Sequence, residues 1–440
     1  MSNVHTTTLE HLFHLDSNVS KTVSDSENGG GLLSTICYCC IIFTFTDSTE
    51  SPSEQDVKRY KLIQLLSILK SPKKHLPHHL LSPLFNMISV NIFRPLPPST
   101  TTPNTTSELP DDEELSSTLL PAWQHLQIVY DILLRLVLNS DPKVLGDYID
   151  ECFVANLVCL FQSEDPRERE SLKNVYHRIY SRLTFHRTLM RKSMTQVLLR
   201  YVFETEKHPG IAEVLEIWGS IINGFTVPVK EEHKLFLMRV LIPLHKTKGM
   251  QIYHRELSYC VNQFVQKEAM LGGIVVRGIL RYWPITNSQK EIVLIGELEE
   301  LVENIDPDHY RKLALPLCNQ ITRCLNSWNS QVAERALYVW NNEQFVKMAT
   351  SAMEEVFPVV VEGMEKNLKW HWSKSVKQLT ENVKLLLQQM DQTLYNKCIQ
   401  DISHKQNKAR QQEEIRNKRW ERIEMEAAAK LQPNLLCVSH

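Results

Sequence analysis

The sequence contains little glycine, only 13 of 440 residues. Nucleotide-binding α/β enzymes and all-β folds usually need more, for tight turns and for close approach of the backbone to a ligand. Abundant Leu, Lys and Glu favour helix instead. With 42% hydrophobic and 23% charged residues, the chain can bury a sizeable core, which excludes a wholly disordered protein. We therefore expect an all-α fold.

The chain also lacks an excess of either charge. Its 49 Lys and Arg nearly balance its 51 Asp and Glu, so the formal net charge is −2. Binding to a phosphate backbone needs a surplus of basic residues. The chain as a whole therefore offers no electrostatic case for nucleic-acid binding, and no nucleic-acid partner is expected.

Disulfide and zinc patterns are missing as well. Of the ten cysteines only Cys37 and Cys40 stand at Cys-x-x-Cys spacing, no second such pair follows, and none combines with histidine at the spacing of zinc ligands. Cysteines scattered through a long chain are typical of reduced core residues in an intracellular protein. We expect no metal, no cofactor, and a location in the cytoplasm, the nucleus or both.

Long hydrophobic runs are absent too. The longest is Leu32 to Phe45, which has 14 residues and is interrupted by Ser34, Thr35 and Thr44. A membrane-spanning helix needs roughly 20 apolar residues. The run therefore predicts a buried first helix, and attachment to a membrane is not expected.

Catalytic signatures are also lacking. The chain has neither GxGxxG nor GxxxxGK[ST], and neither GxSxG nor HExxH, while only the dipeptide Gly146-Asp147 resembles a metallophosphatase motif. Metallophosphatase chemistry needs ligands from several such motifs. The acidic cluster Glu297, Glu299 and Glu300 is interpreted as the solvated face of an amphipathic helix. An enzyme is therefore disfavoured.

Composition divides the chain into segments. Residues 1–31 are rich in Ser, Thr and Asn and predict a disordered arm. Residues 95–120 are rich in Pro and Thr and predict a loop within a helical domain spanning 32–400. Residues 401–430 predict a charged helix laid against the last repeat, and 431–440 a frayed tail. A mobile partner-binding arm is the alternative for 401–430, whereas its mixed charge signs argue against RNA binding.

Most of the chain has helical periodicity. Apolar residues recur at helical spacing in the segments 123–138, 171–199, 211–223, 233–242, 290–304, 330–340 and 376–399. Polar capping residues precede two helical starts in the segments 163–169 and 329–336, which lie about four periods of ~41 residues apart, within the range of HEAT hairpins. These observations predict a HEAT-like helical-hairpin repeat solenoid, an α–α superhelix, although a non-repeating bundle remains an alternative.

One helical face differs from the others. Lys173, His177 and Tyr180 share it at i, i+4 and i+7, and Arg187 is expected two turns further along. This face is polar and aromatic where a packed helix would be aliphatic. In a stack of hairpins it would lie beside the next helical segment on a concave surface.

That next segment carries aliphatic and charged residues. They are Glu216, Ile217 and Ile221, with Lys230 after a turn. Together with Tyr180 they suit an extended peptide with aliphatic anchors and acidic or phosphorylated flanks. The alternative interpretation is a set of ordinary solvated charges on repeat helices.

Long blocks of the sequence resemble the B-prime regulatory subunits of protein phosphatase 2A. The blocks are NIFRPLPPS (91–99), AWQHLQIVYD (122–131), SEDPRERESLKNVYHRIYSRL (163–183), FETEKHPGIAEVLEIWGSIINGFTVPVKEEHKLFL (203–237), YWPITNSQKEIVLIGELEE (282–300) and QVAERALYVWNNE (331–343). The resemblance runs colinearly over about residues 35–430. It implies a non-catalytic HEAT-like subunit that docks on the phosphatase scaffold and catalytic subunits and selects phosphoprotein substrates.

The same resemblance implies a groove that binds Leu-x-x-Ile-x-Glu peptides. Its residues would be Lys173, Asn174, His177, Arg178, Tyr180, Arg187, Glu216, Ile217, Ile221 and Lys230. Tyr180, Ile217 and Ile221 would bury the aliphatic anchors, while His177 and Arg178 would meet the glutamate. Arg187 and Lys230 would favour acidic or phosphorylated flanks. The family usually has threonine where Asn174 stands, and Asn still offers a donor and an acceptor.

The acidic run in the predicted loop resembles one that approaches the catalytic subunit in the family. It consists of Asp111, Asp112, Glu113 and Glu114, and Ser116 and Ser117 follow where the family often has acidic residues or proline. We expect a contact with the catalytic subunit there. The competing hypothesis for the whole chain is a helical-repeat adaptor that no longer joins the phosphatase.

Overall fold

The computed structural model describes the backbone of residues 27–43, 45, 51–70, 77–96 and 120–431, and the side chains of residues 30–430 within these ranges. Every regular element in these ranges is a helix, which confirms the all-α prediction. The acidic run Asp111 to Glu114 lies outside the described residues.

The helices follow one another with short connections. In chain order they are α1 (Glu27–Tyr38), α2 (Pro52–Lys70), α3 (Leu81–Ile92), α4 (Trp123–Asn139), α5 (Pro142–Gly146), α6 (Glu151–Cys159), α7 (Pro166–Arg182), α8 (Arg187–Arg200), α9 (Ile211–Asn223), α10 (Glu231–Phe236), α11 (Ile242–Leu244), α12 (Met250–Lys267), α13 (Gly272–Arg281), α14 (Ser288–Asn304), α15 (Tyr310–Leu325), α16 (Ser330–Tyr338), α17 (Glu343–Thr350), α18 (Met353–Trp370), α19 (Lys374–Met390) and α20 (Gln392–Leu431). Short 3-10 turns and two π-helical turns, Tyr201–Thr205 and Leu237–Leu241, join some of them.

The apolar run near the start does not form one buried helix. Helix α1 begins at Glu27, inside the predicted arm, and ends at Tyr38, halfway along the run. The chain then turns, and it buries Phe43 while Ile41 and Ile42 stay exposed. The expectation of a single buried helix over residues 32–45 is therefore wrong. In the described residues, no helix has both the length and the apolar character to cross a membrane.

The described residues divide into two compact units. The first runs to Gln196 and includes 207–214, and the second comprises 197–206 and the residues from Leu215 onwards. In the first unit, α2 packs on α4 and α4 packs on α7, while α1 packs on α3. Contact between alternate helices, across a short connection, is what stacked hairpins require.

The second unit shows the same arrangement over a longer stretch. Helices α12, α14 and α16 pack in succession, and α16 packs on α19. On the other side α13, α15, α18 and α20 pack in succession. Each unit is thus built of consecutive helical hairpins, which agrees with the predicted HEAT-like repeat.

Polar caps fix where several helices begin. Asp165 accepts a hydrogen bond from the backbone N–H of Arg167 at 2.9 Å, and Pro166 is the first residue of α7. Asn329 accepts from the N–H groups of Gln331 and Val332 at the start of α16. Such caps satisfy N–H groups that have no partner within the helix. Both capped starts were predicted from the sequence.

A buried carboxylate organises the first unit. Glu168 accepts two hydrogen bonds from the guanidinium of Arg94, at 2.8 and 2.6 Å. It also accepts from the hydroxyl of Tyr130 at 2.9 Å and from the hydroxyl of Ser163. Its side chain is fully buried, so these bonds replace the water that the charge loses on folding. They join α7 to Tyr130 of α4 and to Arg94, which follows α3.

A second buried carboxylate organises the second unit. Glu297 lies between two imidazoles, accepting from His245 Nε2 at 3.0 Å and from His254 Nε2 at 2.8 Å. Burial would raise the pKa of Glu297, but the adjacent histidines outweigh it and lower that pKa to about 2. Burial would likewise lower the pKa of His245, but Glu297 holds it above its usual value. The interpretation of Glu297 as a solvated residue is therefore wrong, although Glu300 is exposed.

The last helix differs from its prediction. Helix α20 begins at Gln392 and packs on α18 and α19, with Tyr395 and Cys398 buried. Beyond Ile402, every side chain from Ser403 to Lys430 is exposed. The expectation that 401–430 lies against the last repeat is wrong, because too few apolar residues recur there to form a packing stripe.

Cysteine burial partly follows the prediction. The buried cysteines are Cys39, Cys260, Cys318, Cys324 and Cys398, whereas Cys37, Cys152 and Cys159 are exposed and Cys40 is intermediate. All nine are free thiols.

Replacing Glu168 by Ala is expected to lower the free energy of unfolding by about 3–5 kcal/mol, because Arg94 keeps its charge and loses its partner. Urea unfolding followed by circular dichroism measures the change. Glu151→Ala, an exposed glutamate on α6, is the control and should change stability little. A loss of less than ~1 kcal/mol in Glu168→Ala would contradict the role of this carboxylate.

The His245–Glu297 pair predicts a pH dependence of stability. The pKa of Glu297 is lowered from 4.5 to about 2, so its stabilisation is present above pH 4.5 and is lost as pH falls towards 2. The pKa of His245 is raised above 6.5, so its stabilisation is present below pH 6.5 and is lost as pH rises through the folded-state value. Glu297→Gln should flatten both limbs of the unfolding free energy against pH. Glu300→Gln, at an exposed glutamate of the same helix, should leave the profile unchanged, and equal profiles for wild type and Glu297→Gln would refute the assignment.

Candidate functional site

The first unit carries the predicted polar and aromatic face on α7. Leu172, Val175, Tyr176 and Ile179 are buried along the opposite side of the helix, which packs on α4. Lys173, His177 and Tyr180 are half-buried, whereas Asn174 and Arg178 are exposed. The predicted face is therefore accessible, and it is not part of the unit's core.

A glutamate on the same helix holds one end of this face. The ammonium of Lys173 lies 2.7 Å from one carboxylate oxygen of Glu170. The amide of Asn174 donates to the other oxygen at 3.3 Å. Glu170 is largely exposed, so this contact is weakened by solvent. The positive charge of Lys173 is thus partly neutralised within the chain itself.

Arginine side chains surround Tyr180 at the other end. The guanidinium of Arg187 lies 5.3 Å from the centroid of the Tyr180 ring, within the range of a cation–π contact. Arg191 Nη1 donates to the Tyr180 hydroxyl at 3.1 Å. An aromatic ring held by two cations offers an apolar surface directly beside positive charge.

The sequence predicted that Arg187 lies on the same helix as Lys173, but the structure places it on the next helix. A 3-10 turn, Thr184–His186, ends α7, and Arg187 is the first residue of α8. Its guanidinium reaches back and donates to the backbone carbonyls of Tyr180, at 3.0 Å, and Ser181, at 3.2 Å. A cation at the carboxyl end of a helix is favoured by the helix dipole. These bonds are to neutral carbonyls, so Arg187 keeps its charge.

His177 differs in charge from the lysine and the arginines of this face. Burial lowers its pKa, and the neighbouring charge of Arg178 lowers it further. The imidazole is therefore mainly neutral at pH 7, where it both donates and accepts hydrogen bonds. Arg178 carries the charge at this position and is exposed.

The second unit carries the remaining predicted residues. Glu216 on α9 and Lys230, immediately before α10, are exposed. Ile217 and Ile221 are 1% and 6% exposed, so both are buried. Little of their surface is open to solvent in this structure, and the role of both isoleucines in an apolar pocket stays a prediction. Lys230 caps α10 through its backbone, its carbonyl accepting from His233 and Lys234 N–H groups at 3.0 and 3.1 Å.

Sequence reasoning missed two residues of the first-unit face, Glu170 and Arg191. Their signal was present, because Glu170 precedes Lys173 by three residues and Arg191 follows Arg187 by four, both spacings that share a helical face.

No group of three or more His, Cys, Asp or Glu that could hold a metal ion occurs among residues the structure describes.

Comparison with known proteins identifies the family. A family model described as protein phosphatase 2A regulatory B subunit (B56 family) matches residues 17–427. The chain is 45% identical to the B′ alpha isoform of the serine/threonine protein phosphatase 2A 57 kDa regulatory subunit of Arabidopsis thaliana over 406 residues, covering 92% of this chain and 82% of that protein. It is 46% identical to the B′ beta isoform of the same plant over 393 residues, 89% of this chain and 78% of that one.

A similar relative occurs in rice, Oryza sativa subsp. japonica. The B′ kappa isoform of its 57 kDa regulatory subunit is 40% identical over 417 residues, covering 94% of this chain and 81% of that protein. These relatives are named regulatory subunits, which confirms the predictions of a non-catalytic protein and of a helical-repeat fold. The chain therefore belongs to the B56 family of protein phosphatase 2A regulatory B subunits.

Proposed function

We propose that this chain selects phosphoprotein substrates for a protein phosphatase 2A heterotrimer by binding Leu-x-x-Ile-x-Glu-type peptides. Its partners would be the scaffold subunit and the catalytic subunit. The observation that carries the peptide-binding proposal is the arrangement of Arg187 and Arg191 around Tyr180. The location that fits these partners is the cytoplasm, the nucleus or both.

Tyr180 supplies the apolar contact in this proposal. Its half-buried ring is fixed on one side by the Arg187 guanidinium and at its hydroxyl by Arg191. A fixed ring loses little conformational entropy when a ligand packs on it. An aliphatic side chain buried there would gain roughly 1.5–3 kcal/mol if fully desolvated.

The charged residues supply the acidic specificity. Arg178 is exposed and lies one residue from the neutral imidazole of His177. A peptide glutamate can accept a charge-assisted bond from Arg178 and a further bond from the imidazole. Arg187 would bind acidic or phosphorylated flanking residues, since its contacts with Tyr180 and Ser181 leave its charge uncompensated. Lys173 and Asn174 would extend this preference once Glu170 is displaced.

The second-unit residues enter the proposal with altered roles. Glu216 and Lys230 are exposed, and in this proposal a ligand would contact them directly. Ile217 and Ile221 are buried, so they would support α9 from within the unit. The acidic residues Asp111, Asp112, Glu113 and Glu114 stay a proposed contact with the catalytic subunit, and it rests on the family resemblance.

Replacing Arg187 by Glu is expected to abolish binding of a fluorescent Leu-x-x-Ile-x-Glu peptide. The substitution reverses the charge that faces the acidic flank and removes the contact with Tyr180, so a loss of ~100-fold or more is expected. Fluorescence anisotropy measures the dissociation constant. Micromolar affinity is expected for the wild type, because the extended peptide loses freedom on binding.

Arg200→Glu is the matched control for this test. Arg200 is also an arginine of α8, but it is exposed at the other end of the helix and pairs with Glu204. Its reversal should leave peptide affinity within about twofold of the wild type. Unchanged binding in Arg187→Glu, with the fold intact by circular dichroism, would rule out this site.

Assembly of the heterotrimer is tested separately from peptide binding. Affinity-tagged full-length chain is expected to co-purify the scaffold and catalytic subunits from cell extract, as mass spectrometry would show. Arg187→Glu should co-purify both equally well, because assembly and peptide binding use different surfaces in this proposal. Failure of the wild type to retain either subunit, with peptide binding intact, would support the adaptor hypothesis instead.

A further inference from the structure

Three tryptophans are exposed at one corner of the second unit. Trp328, between α15 and α16, is 76% exposed, while Trp370, the last residue of α18, and Trp372, between α18 and α19, are 66% and 63% exposed. Large apolar side chains usually reach such exposure singly. Three tryptophans gathered on two adjacent loops form an apolar patch on the surface, and the fold of the repeat does not require it.

Hydrogen bonds hold the two loops together. Asn367 Nδ2 donates to the Leu325 carbonyl at 2.5 Å, and His371 Nε2 donates to the Ser327 carbonyl at 3.0 Å. The indole N–H of Trp372 donates to the Trp328 carbonyl at 2.9 Å. Two of these bonds join the loops and the third joins the ends of α15 and α18, so both loops are held in place. The tryptophans are therefore held outward, with little freedom to fold back onto the unit.

The His371 ring fixes the geometry further. Its Nδ1 accepts from the backbone N–H of Ser373 at 3.1 Å, which leaves Nε2 as the donor to Ser327. The ring lies nearly parallel to that of Trp372, with an interplanar angle of 18°. The orientation of Trp372 is thus set by a buried neighbour.

Lysines lie close to Trp370 and Trp372 in the sequence, and one of them contacts a ring. The segment 366–377 contains Lys366, Lys369, Lys374 and Lys377 and no acidic residue, and the segment 326–331 contains no charged residue. The ammonium of Lys369 lies 5.0 Å from the centroid of the Trp370 ring. The patch is therefore both aromatic and positively charged, and its complement is a surface that is apolar beneath and negatively charged outside.

We propose that this surface, the tryptophan corner (Trp328, Trp370 and Trp372 with Lys366, Lys369, Lys374 and Lys377), docks the protein on an anionic lipid bilayer. Tryptophan partitions to the boundary between acyl chains and headgroups. Lysine stems extend along apolar surface while their ammonium groups reach anionic headgroups. Such peripheral contact needs no membrane-spanning helix.

The form of the corner favours a bilayer over a peptide. Peptides bind in grooves or pockets that bury most of an anchor side chain. None of the three tryptophans lines either of two surface cavities. One cavity is lined by residues between Arg59 and Arg167, and the other by residues between Leu337 and Leu386. Outward-facing rings on a rigid corner are suited to entering a soft, anionic interface.

The test is co-sedimentation of the full-length chain with vesicles. Vesicles of phosphatidylserine and phosphatidylcholine in equal parts should bind the protein, and vesicles of phosphatidylcholine alone should bind it far more weakly. The double variant Trp328→Ala/Trp370→Ala should lower binding by at least tenfold, and each Lys→Gln change at Lys366 or Lys369 by about fivefold. Trp372 is kept, because its N–H ties the loops together.

Trp420→Ala is the matched control. Trp420 is 64% exposed on α20 and lies in a basic stretch that could itself bind acidic lipid. Unchanged binding in Trp420→Ala, with loss in the double variant, supports the tryptophan corner. Loss in Trp420→Ala with unchanged binding in the double variant would assign lipid binding to α20 and overturn the proposal.

The assembled heterotrimer provides a second arm. It should bind the same anionic vesicles, with the same loss in the lysine variants. Failure of the heterotrimer to bind would show that the corner is covered on assembly and would overturn the proposal. Failure of the free chain to bind any vesicle would overturn it as well, and would favour an acidic protein as the partner of this surface.

Discussion

The buried carboxylate of Glu168 is the interaction on which the first unit depends. A charge removed from water is stable only when its oxygens are fully bonded, and Glu168 is bonded by Arg94, Tyr130 and Ser163. Arg94 and Tyr130 are 74 and 38 residues away in sequence, so one side chain sets how α7 meets α4 and the segment after α3. Because Asp165 caps the same helix, the start and the orientation of α7 are fixed together. Because α7 carries the accessible face around Tyr180, the contacts of Glu168 also position that face.

Local physics explains most of the helices that were predicted. The period of apolar residues predicted α4, α9 and α14 nearly to the residue. The pattern over 171–199 gave no sign that the helix breaks after Arg182. The break depends on a long-range contact, the 2.7 Å hydrogen bond from the buried ring of His186 to the Ile149 carbonyl. The spacing of residues within 171–199 cannot reveal a contact with Ile149. For that reason the sequence wrongly placed Arg187 on the same helix as Lys173.

The same limit applies to charged residues. Lys173, His177 and Tyr180 were correctly placed on one accessible face, since a helix fixes that relation by itself. Glu297 was misassigned because its partners, His245 and His254, are 52 and 43 residues away in sequence. Ile217 and Ile221 were identified by type, but their burial depends on neighbouring helices. Sequence thus predicts which residues share a face, and only the packing of the unit decides whether that face meets solvent.

The contact of Glu170 with Lys173 and Asn174 has a consequence for ligand choice. A carboxylate already rests on these donors, so an arriving acidic group must displace it and gains only the difference between two similar contacts. A ligand with one carboxylate gains little from this exchange, whereas a ligand with several acidic groups or a phosphate gains more. Glu170 then competes with the ligand for Lys173 and Asn174, so that a ligand must carry enough negative charge to displace it. Selectivity of this kind discriminates by the number of charges a segment carries, and phosphorylation is one way to change that number.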